Sequence, residues 1–114
     1  MITKEIIDRA MKDLSEQTKR VYGDKLREVI LFGSCARGDF DEESDVDVMI
    51  LLDVPKDDIR AERDKLDPVI WELDVKYEYD LLFAPIVKSH DEFHHWLEVM
   101  PFYQSVDREG VRYA

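Results

Sequence analysis

Two aspartates separated by one residue, Asp45-Val46-Asp47, follow a Gly33-Ser34 pair after ten intervening residues. Residues two apart on a strand point to the same face. Carboxylates held side by side repel each other, at a cost of roughly 4 kcal/mol for about 4 Å and an effective dielectric of about 20. A partly buried strand keeps such a pair only with compensation: one carboxylate takes a proton, or a cation lies between them. Hard oxygen ligands completed by water and substrate phosphates are what Mg²⁺ prefers. Two such ions about 4 Å apart can activate an attacking hydroxyl and steady a leaving pyrophosphate. Gly33 permits close approach of backbone to a phosphate. Ser34 adds a hydroxyl donor beside main-chain N–H groups, and such clusters form anion-binding nests. Arg37 offers a phosphate a planar, permanently charged fork; its alternative partners are Asp39 and Asp41. A third carboxylate would complete the site. Asp80, at the start of the third expected strand, is the first choice, and Glu78, of the same parity, is the fallback. Alone, a Gly-Ser turn is ordinarily a turn and Asp-x-Asp a solvated strand end. Together, in this order and between two apolar strands, they point to nucleotide chemistry.

Other reactive residues read more plainly. Cys35 packs, and Glu42 and Glu43 belong to a solvated loop. His90 and His94 have metal-ligand spacing on a helix, but no third ligand is evident near them, which weighs against zinc. His95 and Trp96 read as a helix surface and its core face. The aromatics from Tyr77 to Phe102 read mostly as core, some as a partner surface.

The elements that must position these residues follow from pattern. Thr3 can cap a first helix whose stripe is Ile6, Ile7, Ala10, Met11, Leu14, Thr18 and Val21, with Gly23 as the stop. Leu26 to Phe32 and Val46 to Leu52 read as strands. The second is apolar on both flanks and so belongs inside the sheet. The short connection between them favours an antiparallel pair. Ile59 to Tyr77 reads as helical, with Pro68 either kinking it or opening a second segment capped by Asp67. Tyr79 to Val87 reads as a third strand, where Pro85 suggests an edge or a bulge. Ser89 and Glu92 spell a capping box for a helix carrying Phe93, Trp96, Leu97 and Met100. A short helix from Phe102 to Glu109 ends at Gly110, leaving Val111-Arg112-Tyr113 as a stub. The expected fold is a small α/β (α+β) domain spanning 1–114, with helices packed on a mixed or antiparallel sheet.

Composition narrows the function classes. The chain has 114 residues, enough for one core, and 45% of them are hydrophobic, a globular composition. Its net charge of −11 argues against direct nucleic-acid binding, which needs clustered Lys and Arg. The acidity suits a small-molecule substrate arriving with its own metal, or a basic protein partner. A single cysteine allows no internal disulfide. No signal peptide is apparent and no apolar run is long enough to span a bilayer, so the expected location is the cytoplasm.

Gly33-Ser34, Ala36-Arg37-Gly38 and Ser44-Asp45-Val46-Asp47 together resemble the minimal nucleotidyltransferases (MNT) of the polymerase-β superfamily. The likeness runs over nearly the whole chain. Tyr77 to Phe93 looks like that family's third strand and following helix, and Pro101-Phe102-Tyr103 with Glu109-Gly110-Val111 resembles its tail. The resemblance implies a nucleotidyltransferase fold and ATP bound through Gly33 and Ser34, with Arg37 as a further phosphate contact. It implies Mg²⁺, two ions, on Asp45, Asp47 and a third acid such as Asp80, and in-line attack of an acceptor hydroxyl on the α-phosphate. Larger relatives carry an added acceptor-gripping domain, and this chain is expected to end before one could form. Minimal members resemble antitoxins that place AMP on a HEPN-domain RNase toxin. The implied function is therefore transfer of AMP to a partner protein. The rival readings are neutralisation by contact alone and transfer to a small hydroxylated acceptor such as an antibiotic.

Overall fold

The computed structural model describes residues 1–114. Its sheet contains β1 (Leu26–Phe32), β2 (Val46–Leu52), β3 (Phe83–Ser89) and β4 (Val111–Arg112), in the order β3-β2-β1-β4. β1 runs antiparallel to β2 and β4, and β2 runs parallel to β3, so the sheet is mixed. Six helices surround it: α1 (Lys4–Tyr22), α2 (Ser34–Arg37), α3 (Ile59–Asp64), α4 (Asp67–Lys76), α5 (His90–Trp96) and α6 (Pro101–Glu109).

Strand alternation divides the core in two. Val29 and Leu31 of β1, with Val46, Val48, Ile50 and Leu52 of β2, face α1 and α4, where they meet Ile7, Met11, Leu14, Leu66, Val69 and Leu73. Ile30 and Phe32, with Met49 and Leu51, face α5 and α6 and meet Phe93, Tyr103 and Val106. β2 is therefore apolar in both directions because both faces of the sheet are covered. The Thr3 hydroxyl accepts the Ile6 N–H at 3.2 Å, capping α1 as its sequence indicates. At the far end of α1 the Gly23 N–H returns to the Lys19 carbonyl.

Several boundaries differ from the sequence expectation. The helical stretch through Pro68 divides into α3 and α4; the capping position of α4 is Leu66, with no side-chain bond, and Asp67 is its first residue. Glu78 and Tyr79 take left-handed backbone angles, φ +55° and +60°, so β3 begins at Phe83 rather than at Tyr79. Residues in that conformation cannot continue a pleat. Pro85 does lie on an edge strand. Ser89 stands at the N-cap of α5, but its hydroxyl makes no capping bond. The C-terminal stub is strand β4, which closes the other edge through Ile30↔Arg112 and Leu31↔Val111. Trp96, expected on a core face, is 45% exposed.

Candidate functional site

Gly33 ends β1 and opens the single turn of α2. The turn is closed by the Ala36 and Arg37 N–H groups, both bonded to the Gly33 carbonyl at 3.1 Å, and by Gly38 N–H to the Ser34 carbonyl at 2.9 Å. At the start of any helix the first N–H groups find no acceptor within the turn, which leaves them for an anion. Gly33 has φ +73°, and a Cβ there would collide with the Asp47 carboxylate. The register agrees, since Phe32 is the partner of Asp47 across β1 and β2. The two halves of the motif thus lie against each other, the Asp47 carboxylate over the α-carbon of Gly33.

The ten-residue excursion is held locally. Ser44 Oγ accepts the Asp41 N–H at 3.0 Å, and Asp41 Oδ1 accepts the Glu43 N–H at 2.9 Å. Glu42 and Glu43 are exposed, as a solvated loop should be. The buried Cys35 thiol donates to the Asp45 carbonyl at 3.5 Å and ties the start of β2 to α2. Burial raises the thiol pKa, and the charges of Asp47 and Asp45 add to that.

Asp45 is exposed and Asp47 half-buried. Burial holds the Asp47 carboxyl above its usual range; the Asp45 charge pushes the same way and Arg37 opposes it. The repulsion inferred from the spacing is therefore present. Solvent at the exposed Asp45 screens that repulsion, which ranks behind burial as a cause. Arg37 Nε lies 3.3 Å from Asp39 Oδ2, and Nη1 lies 3.5 Å from Glu109 Oε2 at the end of α6. Asp39 was an expected partner; Glu109 was not, and Asp41 is not one. These pairs are exposed and cost little to exchange for a phosphate.

The expected third acid lies on a turn, not on a strand. The β3 residue opposite Asp47 is Ala84, and the Val46 N–H bonds to the Leu82 carbonyl at 2.8 Å. Asp80 lies in the turn before β3 rather than at the strand's start. Its side chain is 63% exposed and its Oδ2 is 4.0 Å from the Met1 amine. Glu78 is exposed in the same turn. Gly33 thus lies against Asp47, whose carboxyl feels the charges of Asp45 and Arg37, while Asp80 and Glu78 stand in the exposed turn that leads into β3.

Sequence reasoning did not foresee one contact near the motif: Phe102 of α6, 45% exposed, meets Phe32 edge-on at 5.6 Å, and Phe32 is the strand partner of Asp47. The largest cavity, about 590 Å³, lies elsewhere and includes Asp53, Lys56, Ser89 and Trp96 in its wall. None of Gly33, Ser34, Arg37, Asp45 and Asp47 lines it.

Comparison with known proteins bears on this arrangement. The nucleotidyltransferase domain family matches residues 8–104. Three similar proteins come from Methanocaldococcus jannaschii. Putative protein adenylyltransferase MJ0141 is 47% identical over 84 residues, covering 73% of this chain and 76% of that protein. The proteins of the same description numbered MJ0604 and MJ1305 are each 32% identical, over 103 and 85 residues. They cover 90% and 74% of this chain, and 93% and 56% of their own lengths.

Proposed function

The chain belongs to the nucleotidyltransferase domain family, within the polymerase-β superfamily, and from that premise we propose that it transfers AMP from ATP to a hydroxyl on a partner protein. The observation that carries the reading is the close approach of Gly33 to the Asp47 carboxylate, which supports a phosphate cradle beside a metal-binding acid. The names borne by the relatives describe protein adenylyl transfer and support AMP and a protein acceptor.

Gly33 and Ser34 hold the triphosphate through backbone N–H groups and the hydroxyl, and Arg37 leaves its exposed carboxylate partners to meet it. Asp45 and Asp47 are hard oxygen donors whose repulsion a cation relieves, so they fit Mg²⁺, which when bound supplies charge neutralisation at the triphosphate and at the leaving pyrophosphate. The acceptor oxygen forms a bond to the α-phosphorus, the bond from that phosphorus to the bridging oxygen breaks, and pyrophosphate departs. Asp80 is the third carboxylate in this reading, completing the set or taking the acceptor proton. Its turn is exposed, and its 4.0 Å contact with the Met1 amine is weak enough to give way. Catalysis is then positioning and charge stabilisation.

The proposed acceptor is a HEPN-type RNase toxin, with this chain as its antitoxin. The net charge of −11 suits a basic binding face on the partner. Incubation with α-labelled ATP, Mg²⁺ and such a toxin should label the toxin, and Asp47→Asn should abolish the label. Absence of label from the parent protein in the presence of both would overturn the reading. Ala84 opposite Asp47 favours a second possibility, neutralisation by contact without turnover. An Asp45→Asn, Asp47→Asn double variant that still silences the toxin fully would select it.

A further inference from the structure

We propose that Glu28, His90 and His94 form a binding site for a zinc-class divalent cation, separate from the paired aspartates. Their ligand atoms all lie within 4.8 Å of one another. Nε2 of His90 and Nε2 of His94 are each 3.2 Å from the same oxygen, Glu28 Oε2. Only the His94 contact is aligned as a hydrogen bond. The geometry is closer to three atoms converging on a common centre. Around a tetrahedral zinc with bonds of about 2.0–2.1 Å, ligand atoms stand about 3.3 Å apart, and the two observed separations have that length.

The elements explain why these side chains meet. His90 and His94 are four apart on α5, hence on one face of it. Glu28 has the same strand parity as Ile30 and Phe32, which face α5 and α6. The other Glu28 oxygen, Oε1, is held by Arg112 Nε at 3.0 Å, and Arg112 is in turn held by Asp107 at 2.6 Å. That bond orients the carboxylate and turns Oε2 toward the two imidazoles, as outer partners of metal ligands commonly do. The three side chains are 19%, 23% and 42% exposed for Glu28, His90 and His94, so an ion can enter and a fourth position stays open to solvent.

The site is distinct from the acid pair in place and in chemistry. Glu28 pairs with Leu51, whereas Phe32 pairs with Asp47. Four strand residues separate the two positions, about 14 Å. Two imidazoles and one carboxylate select Zn²⁺ over Mg²⁺, which favours all-oxygen surroundings. A bound ion would staple α5, which follows edge strand β3, to β1 across the intervening β2.

The test uses the untagged full chain, titrated with Zn²⁺ against a chromophoric chelator and, separately, with Co²⁺. The expected result is one Zn²⁺ per chain and visible Co²⁺ absorption of a four- or five-coordinate ion. His94→Ala and His90→Gln should each weaken Zn²⁺ binding at least about tenfold, the loss that removing even an outer partner of a ligand produces. The Asp45→Asn, Asp47→Asn double variant should bind Zn²⁺ like the parent. The proposal is overturned if the parent cannot compete with the chelator, if both histidine variants bind as the parent does, or if the aspartate double variant alone loses binding. It stands independently of nucleotidyl transfer, since none of these readouts involves turnover.

Discussion

Gly33 is constrained twice, by its backbone angle and by what lies over its α-carbon. With φ +73° any side chain is strained, and a methyl group would meet the Asp47 carboxylate. Gly33→Ala must therefore rotate Asp47 or shift the turn, and a displacement near 1 Å at a reacting group costs about 100-fold in rate. Gly38 is the control: its φ is +91°, but nothing lies within 4 Å of an added Cβ. Gly38→Ala should cost about 1 kcal/mol of stability and leave nucleotidyl transfer within a few-fold of the parent. Equal loss of activity in the two variants would detach Gly33 from the acids. At Asp47, burial and the Asp45 charge both oppose ionisation, so Asp47→Asn should raise the melting temperature of the metal-free protein while removing activity. A lower melting temperature would mean that the carboxylate is stabilising rather than strained. The motif was readable because its chemistry is carried by residue types at short spacing. Phe102 beside Phe32, Glu109 on Arg37 and Glu28 beneath the two histidines were not, because each contact joins residues more than sixty positions apart. Nothing local in the chain signals that Glu28 will supply the third ligand that His90 and His94 lack in sequence.

At the scale of elements, β1 and β2 were legible to the residue, since apolar runs bounded by Gly33 and by the acidic loop leave one choice of ends. The start of β3 was not. Tyr79 and Asp80 continue the strand's alternation on paper, but two left-handed residues turn the chain, and the Asp74 carboxylate accepts the Phe83 N–H at 3.3 Å where pairing begins. β4 was missed because two residues carry no periodicity; it exists through its pairing with β1. The break before α4 was expected at Pro68, and the structure adds an anchor just upstream. The Tyr22 hydroxyl donates to the Glu62 carbonyl at 2.7 Å, and the Glu62 carboxylate, 8% exposed, meets Lys25 at 2.9 Å and Lys65 at 3.2 Å. Lys25 chiefly, then Lys65, hold that carboxyl below its usual 4.5, against burial. A folded pKa below the unfolded one means that the unfolded chain binds more protons in the interval between them. The stability from this group is therefore complete above the unfolded value and is lost as pH falls through the folded one. Glu62→Gln should destabilise by about 1 kcal/mol at neutral pH, because solvent screens the half-exposed lysines. In melting curves the gap to the parent should begin to narrow as pH falls below the usual 4.5 and vanish below the lowered folded value, where the parent's folded carboxyl is itself protonated. A gap that persists unchanged at acid pH would assign the effect to packing instead.

For the whole molecule the dominant quantity is charge: 27 acidic against 16 basic side chains, a net −11, on a body measuring 38 × 28 × 18 Å. At 10 mM ionic strength the screening length, about 30 Å, is comparable to the molecule, so acids on opposite faces repel one another. Near 150 mM it contracts to about 8 Å and only neighbours interact. Compaction under that self-repulsion costs stability. Raising NaCl from 10 to 150 mM should therefore raise the melting temperature. The general effect and the site effect are separable, because one depends on ionic strength and the other on a particular pair of carboxylates. At matched ionic strength, millimolar Mg²⁺ should stabilise the parent beyond Na⁺, since an ion held between Asp45 and Asp47 binds only the folded arrangement. In the Asp45→Asn, Asp47→Asn double variant the excess from Mg²⁺ should vanish while the NaCl response persists. If the excess survives in that variant, Mg²⁺ is acting on the diffuse surface charge, and the aspartate pair loses its standing as the metal site. If the NaCl response is absent from both proteins, the acidic surface is already compensated by its ion pairs and exerts no global repulsion for a basic partner to relieve.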